Sequence, residues 1–144
     1  MTKPRTCIDC APGAKRKAPH PGPRCATHYR ARRQATTKAT HEAYVQRTYG
    51  LGPGDYDRLK EAQGGRCFIC QRATGATRRL AVDHSHDTGL ARGLLCKPCN
   101  RMLGHARDSV EFFERAIDYL NTPPAARLGI TAIHIDNRKD ISDA

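Results

Sequence analysis

Residues 80–100 read LAVDHSHDTGLARGLLCKPCN, and their order decides the fold. In RLAVDH, Leu80 and Val82 alternate with polar neighbours, the period-two pattern of a half-buried strand. The turn DHSHDTG, residues 83–89, closes on a glycine, and LARGLL reads as a second strand. Together they predict a β-hairpin whose loop is longer than the tightest kind. CKPCN follows at once, and a helix is expected to begin within a few residues of it.

The cysteines frame this hairpin. Cys67-x-x-Cys70 precedes it and Cys96-x-x-Cys99 follows it, with 25 residues between the pairs. A two-residue spacer lets the chain curl so that both sulfurs of a pair reach one ion, and four thiolates match tetrahedral zinc. Four sulfurs close the coordination shell, so this zinc is expected to be structural. Disulfides are the competing reading, but no apolar run of signal-peptide kind follows Met1, and an intracellular (cytoplasmic) chain favours zinc. A second set, Cys7-x-x-Cys10, fourteen residues and then Cys25-x-x-His28, accounts for the odd seventh cysteine. It could hold a second zinc with three sulfurs and one nitrogen, His20 competing with His28 for the fourth position. Without a metal it would be a disordered basic arm.

With 144 residues, 38% hydrophobic, 6% aromatic and no tryptophan, the chain can bury only a thin core, so metal cross-links suit it. Its net charge of +11 is lopsided. Residues 1–40 carry ten Lys/Arg against the single acid Asp9, a net +9, whereas residues 41–144 carry fifteen against thirteen, a net +2. Such a distribution points to a polyanion, nucleic acid first. No stretch is long and apolar enough to span a bilayer, so no membrane partner is expected.

Three regions follow: a basic N-terminal segment, 1–40; a central domain, 41–124; and a tail, 125–144. In the central domain HEAYVQRTYG predicts a helix stopped by Gly50, and GDYDRLKEAQ a second one ended by Gly64-Gly65, with Tyr56, Leu59 and Ala62 on one face. SVEFFERAIDYL predicts a third, capped by Asp108 or Ser109 and stopped by Pro123-Pro124. Its stripe of Val110, Phe113, Ile117 and Leu120 reads as ordinary core. In the tail GITAIHI alternates like a short strand, and DNRKDISDA is expected to fray.

The chemistry gathers at Asp83, His84, His86 and Asn100. A hard cation such as Mg²⁺ takes oxygen ligands and keeps several waters. Asp83 offers a carboxylate oxygen and Asn100 an amide oxygen, leaving room for phosphate and water. The His84 imidazole suits a general base for an attacking water, and His86 could hold or polarise the phosphate. In a regular strand His84 and His86 would share a face and Asp83 would point away, so the turn must twist to bring all three together. Arg92 and Arg101 flank these residues and could meet phosphates. Single histidines at 41, 105 and 134 have no partner at useful spacing and read as surface or core residues.

From about Tyr44 to Leu120 the sequence resembles phage recombination endonuclease VII, of the HNH or His-Me finger nucleases. The motifs are CFIC, LAVDHSHDTGLARGLLC and KPCNRMLG, followed by a helix and PP. The resemblance implies a small α+β fold: a zinc-stabilised ββα-metal core with flanking helices, and the basic zinc-knuckle-like arm outside it. It implies Mg²⁺ on Asp83 and Asn100, water activation by His84, and His86 near the scissile phosphate. It also implies dimerisation and cleavage of branched DNA such as Holliday junctions, in the host cytoplasm if the chain is phage-encoded. Two features depart from the family pattern: the N-terminal cysteine cluster, and a short region after Pro124 where the best-known phage member has a long helical half. The competing functions are a general HNH nicking endonuclease and a non-catalytic zinc module that binds nucleic acid.

Overall fold

The computed structural model describes residues 6–14, 18 and 22–136. Two compact units compose it, Met1–Cys96 and Lys97–Ala144. His20 and the end of the DNRKDISDA tail lie outside the described residues.

The first unit begins with helix α1, Ala26–Tyr49, which runs 24 residues before stopping at Gly50. Gly50 takes the left-handed conformation (φ 69°) and its N–H bonds the Gln46 carbonyl, the glycine stop expected from the sequence. The helix starts fifteen residues earlier than its apolar pattern suggests. Residues 29–40 are exposed on every side, so no burial shaped their sequence and no periodicity marks them. Helix α2, Asp55–Ala62, follows, with the Gly54 N–H donated to the Glu42 carboxylate at 2.8 Å. Tyr56 and Leu59 are half-buried as expected, whereas Ala62 is exposed.

Strands β1, Ala81–His84, and β2, Ala91–Leu95, form the antiparallel hairpin. Ala81 faces Leu95, Val82 faces Leu94 and Asp83 faces Gly93, but His84 faces Ala91. Arg92 is therefore one extra residue on β2, a β-bulge that bends the strand and re-aims its side chain. Around the hairpin lies the small core of Val45, Cys67, Leu80, Val82, Leu94 and Leu95, each at most 4% exposed. The free edge of β2 is closed by one side chain: Gln63 accepts from the Leu94 N–H at 2.7 Å and donates to the Leu94 carbonyl at 2.8 Å. Tyr56 donates its hydroxyl to the Leu80 carbonyl at 2.9 Å, pinning α2 to the start of β1.

The second unit holds α3, Lys97–His105, α4, Val110–Asn121, and the single turn α5, Pro124–Arg127. Pro98 sits in the first turn of α3, where its missing N–H costs nothing. Ser109, rather than Asp108, caps α4, its hydroxyl accepting from the Phe112 N–H at 3.1 Å.

Two expectations are corrected here. The apolar stripe of α4 is not core in this chain: no α4 residue is buried, and Val110, Ile117 and Leu120 are 65%, 58% and 77% exposed. Amphipathicity reports that a face is apolar, not what covers it. Residues 129–135 form no strand, because alternation alone gives a strand no partner, and Ile130, Ile133 and Ile135 are exposed.

Candidate functional site

Both predicted cysteine sets come together. The ligand atoms of Cys67, Cys70, Cys96 and Cys99 lie within 4.8 Å of one another, and so do those of Cys7, Cys10, Cys25 and His28. The Cys70 and Cys96 sulfurs are 3.8 Å apart. That matches the edge of a tetrahedron, about 3.8 Å for Zn–S bonds of about 2.3 Å, and far exceeds a disulfide bond. None of the seven cysteines forms a disulfide. In the N-terminal set His28 Nδ1 stands 3.3, 3.5 and 3.4 Å from the sulfurs of Cys7, Cys10 and Cys25. Mixed nitrogen–sulfur edges of about 3.5 Å are expected for the same ion. Both donor sets fit zinc.

At Cys7, Cys67 and Cys70 the local backbone favours the thiolate, the form that binds metal. The N–H groups of Ala73 and Arg72 hold the Cys70 thiol down to about 6. For Cys67 burial pushes upward, but backbone N–H donors from Cys96, Cys70 and Ile69 outweigh it. Cys7 shows the same contest: burial raises it, while the Cys25 backbone N–H and His28 bring it down to about 6. Cys10 is pushed up to about 11 by burial and then by the neighbouring Cys7 and Cys25 sulfurs. Clustered thiolates repel, and a divalent cation is what lets them all ionise together.

The hairpin tip holds the histidines. Across the loop, Ser85 N–H reaches the Leu90 carbonyl at 2.9 Å, and Gly89 N–H reaches the Ser85 carbonyl at 2.8 Å. Within this stiffened turn the rings of His84 and His86 meet edge to face, 5.2 Å between centroids. His84 is half-buried, with the Tyr49 ring 5.8 Å away, and His86 is exposed. Tyr49 stands thirty-five residues upstream, and no motif could have announced it.

Asp83 is the buried charge of this region, 6% exposed. The Arg92 guanidinium grips it as a fork, Nε to Oδ2 at 2.6 Å and Nη2 to Oδ1 at 3.1 Å. Arg92, expected to meet phosphate, thus lies on the carboxylate, placed there by the bulge. An ionised carboxylate has about four lone-pair directions, so this fork orients Asp83 and still leaves acceptor sites for a cation. In the second unit Asn100 is half-buried in the first turn of α3, and Arg101 beside it is exposed. Of the single histidines, His41 packs its ring on Tyr56 at 4.5 Å between centroids, while His105 and His134 are exposed.

Residues 42–122 match the sequence model of a family described as recombination endonuclease VII. Two phage proteins are similar over most of the chain. The "Gene 59 protein" of Mycobacterium phage L5 is 52% identical over 130 residues, covering 88% of this chain and 79% of that protein. Its namesake in Mycobacterium phage D29 is 50% identical with the same coverage.

Proposed function

The chain belongs to the recombination endonuclease VII family, and from that membership we propose that it is a Mg²⁺-dependent endonuclease hydrolysing phosphodiesters of branched DNA, Holliday junctions included. The observation that carries the reading is the hairpin tip. Two imidazoles 5.2 Å apart, adjacent in sequence to a buried carboxylate, fall in the chain between the two Cys-x-x-Cys pairs of a four-cysteine cluster.

In this reading His84 takes a proton from water as the water oxygen attacks phosphorus. The P–O3′ bond breaks, the 3′-oxygen leaves and is protonated by solvent, and the products carry 5′-phosphate and 3′-hydroxyl ends. His86 hydrogen-bonds the scissile phosphate. Asp83 and Asn100 would supply the oxygens that hold Mg²⁺, and the ion when bound would offset the charge developing on the phosphate and leaving oxygens. Arg92 keeps the Asp83 carboxylate in one orientation. The zinc of Cys67, Cys70, Cys96 and Cys99 is structural, since the adjacent Cys99–Asn100 backbone ties the amide ligand to a zinc-bound residue. Homodimerisation fits the exposed apolar stripe of α4, and the family's phage relatives suit action in the host cytoplasm.

The test compares a four-way junction with a linear duplex of the same sequence, each with Mg²⁺ and with EDTA. Cleavage of the junction alone, with Mg²⁺ alone, is expected. Equal cleavage of both makes the protein a general nicking endonuclease. No cleavage of either with Mg²⁺ or Mn²⁺ leaves a non-catalytic zinc module.

A further inference from the structure

Helix α1 extends sixteen residues upstream of the family match, which begins at residue 42. That extension has an unusual surface. From Ala26 to His41 it carries Arg30, Arg32, Arg33 and Lys38 and no acid. Lys38 is engaged with Asp57 at 2.8 Å, and the single acid upstream of residue 41, Asp9, is taken by Arg24. Among the described residues no acid pairs with Arg30, Arg32 or Arg33, and all three are exposed. Arg33, Thr40 and Arg47 stand seven residues apart, which sets them on one exposed stripe along the helix. Beside it runs a groove whose eight lining residues include Thr36, Thr37, Thr40, Arg47 and Arg79 and no acid. Ala43 and Tyr44 make most of the groove's exposed surface apolar, but its polar groups are hydroxyls, an imidazole and guanidiniums without carboxylates, which suit phosphate oxygens.

A helix that is polar all round has no packing to stabilise it and needs another source. The N-terminal cluster supplies one. Cys25 is the N-cap of α1, its side chain makes no capping hydrogen bond, and His28 lies in the first turn. Three thiolates and one zinc ion carry a net −1 at the positive end of the helix dipole. A zinc ion on these four residues would do the work of the missing cap. At the other end, Tyr49 in the last turn lies against His84. The helix therefore leads from a zinc knuckle to the proposed general base.

We propose that α1, with its first turn fixed by zinc on Cys7, Cys10, Cys25 and His28, is an arm that lies along the phosphate backbone of duplex DNA flanking the cleaved bond. The proposal rests on the nuclease reading for where the DNA is cut, but not for whether the arm binds. At about 1.5 Å per residue, Arg33 lies about 24 Å along the axis from Tyr49. That spans about seven base pairs, so protection should extend that far to one side of the cut.

The test uses the zinc-loaded full chain with the substitution His84→Ala, so that DNA is bound without being cut. Salt-dependent binding to duplex DNA and its nuclease footprint are compared with those of the same chain carrying Arg30→Gln, Arg32→Gln and Arg33→Gln. Glutamine keeps the helix, which circular dichroism checks. The salt slope should fall by up to about 2.7, about 0.9 per lost phosphate contact, and affinity at about 0.1 M salt by about 10- to 500-fold. The footprint should shorten on one side. Cys7→Ser with Cys10→Ser should remove one of two zinc ions per chain and give the same loss. An unchanged slope and footprint overturn the proposal, as does a loss seen only with RNA of equal length. If wild type nicks DNA while the arm variants bind as tightly, the arm fails and the nuclease stands. If wild type never nicks but the slope still falls, the nuclease fails and the arm stands.

Discussion

Replacing Arg92 by alanine removes both donors that hold Asp83. The carboxylate is 9% exposed at its side chain and accepts two charge-assisted hydrogen bonds, at 2.6 and 3.1 Å. Each such bond contributes about 1.5–3 kcal/mol, and breaking a buried pair costs about 3–5 kcal/mol. The Arg92 side chain is 37% exposed, so water replaces part of what is lost. Discounting for that screening leaves about 2–3 kcal/mol. For a chain of this size the melting temperature should drop by about 6–9 °C. The assay is thermal unfolding of zinc-loaded protein for wild type, Arg92→Ala, Asp83→Asn and the double variant. If the fork carries the effect, Arg92→Ala costs under about 1 kcal/mol in the Asp83→Asn background. Arg92→Lys, which keeps charge but loses the fork, falls between. Mg²⁺, as a replacement counter-charge on the Asp83 carboxylate, should restore stability to Arg92→Ala but not to the double variant. A cost below about 0.5 kcal/mol, or one that is the same in both backgrounds, refutes the reasoning.

The remaining predictions concern the frame. Gln63→Ala should destabilise the chain by about 1–3 kcal/mol in urea unfolding, because it strands the Leu94 N–H of a fully buried residue while Phe68 N–H still reaches its carbonyl. Acid should release zinc. Cys70 and Cys7 titrate at about 6 when folded and about 9 otherwise, so their contribution is complete above the higher value and is lost as pH falls through the lower. Metal competes with protons, so zinc measured after dialysis should be retained at pH 7 and lost only once the pH lies well below those thiol values. Loss already at pH 8, or retention in a folded chain at about pH 4, contradicts this.

The hairpin and both cysteine sets were legible because each rests on local spacing. Alternation in RLAVDH marks a strand with one buried face, and Leu80 and Val82 are each 3% exposed. Two-residue spacers bring the sulfurs within reach of a common ion whatever lies between the pairs. What stayed hidden depends on partners distant in sequence. The first half of α1 has no buried face, so the absence of periodicity looked like the absence of a helix. Twist in the histidine turn was required by the chemistry, but the bulge that aims Arg92 at Asp83 comes from pairing register, which no residue type encodes. Gln63 closing the β2 edge and Tyr49 against His84 are likewise contacts across the fold. On α4 the sequence shows an apolar stripe but not what covers it.

Relaxation of a supercoiled plasmid that extrudes a cruciform, and so carries a four-way junction, by His84→Ala, set beside wild type at equal zinc content and equal DNA binding, tests the central claim most directly. With Mg²⁺, wild type should nick the plasmid, and the variant should fall by about 100-fold or more, the usual worth of a general base. Nicking by the variant at the wild-type rate would contradict the account and remove His84 from the chemistry.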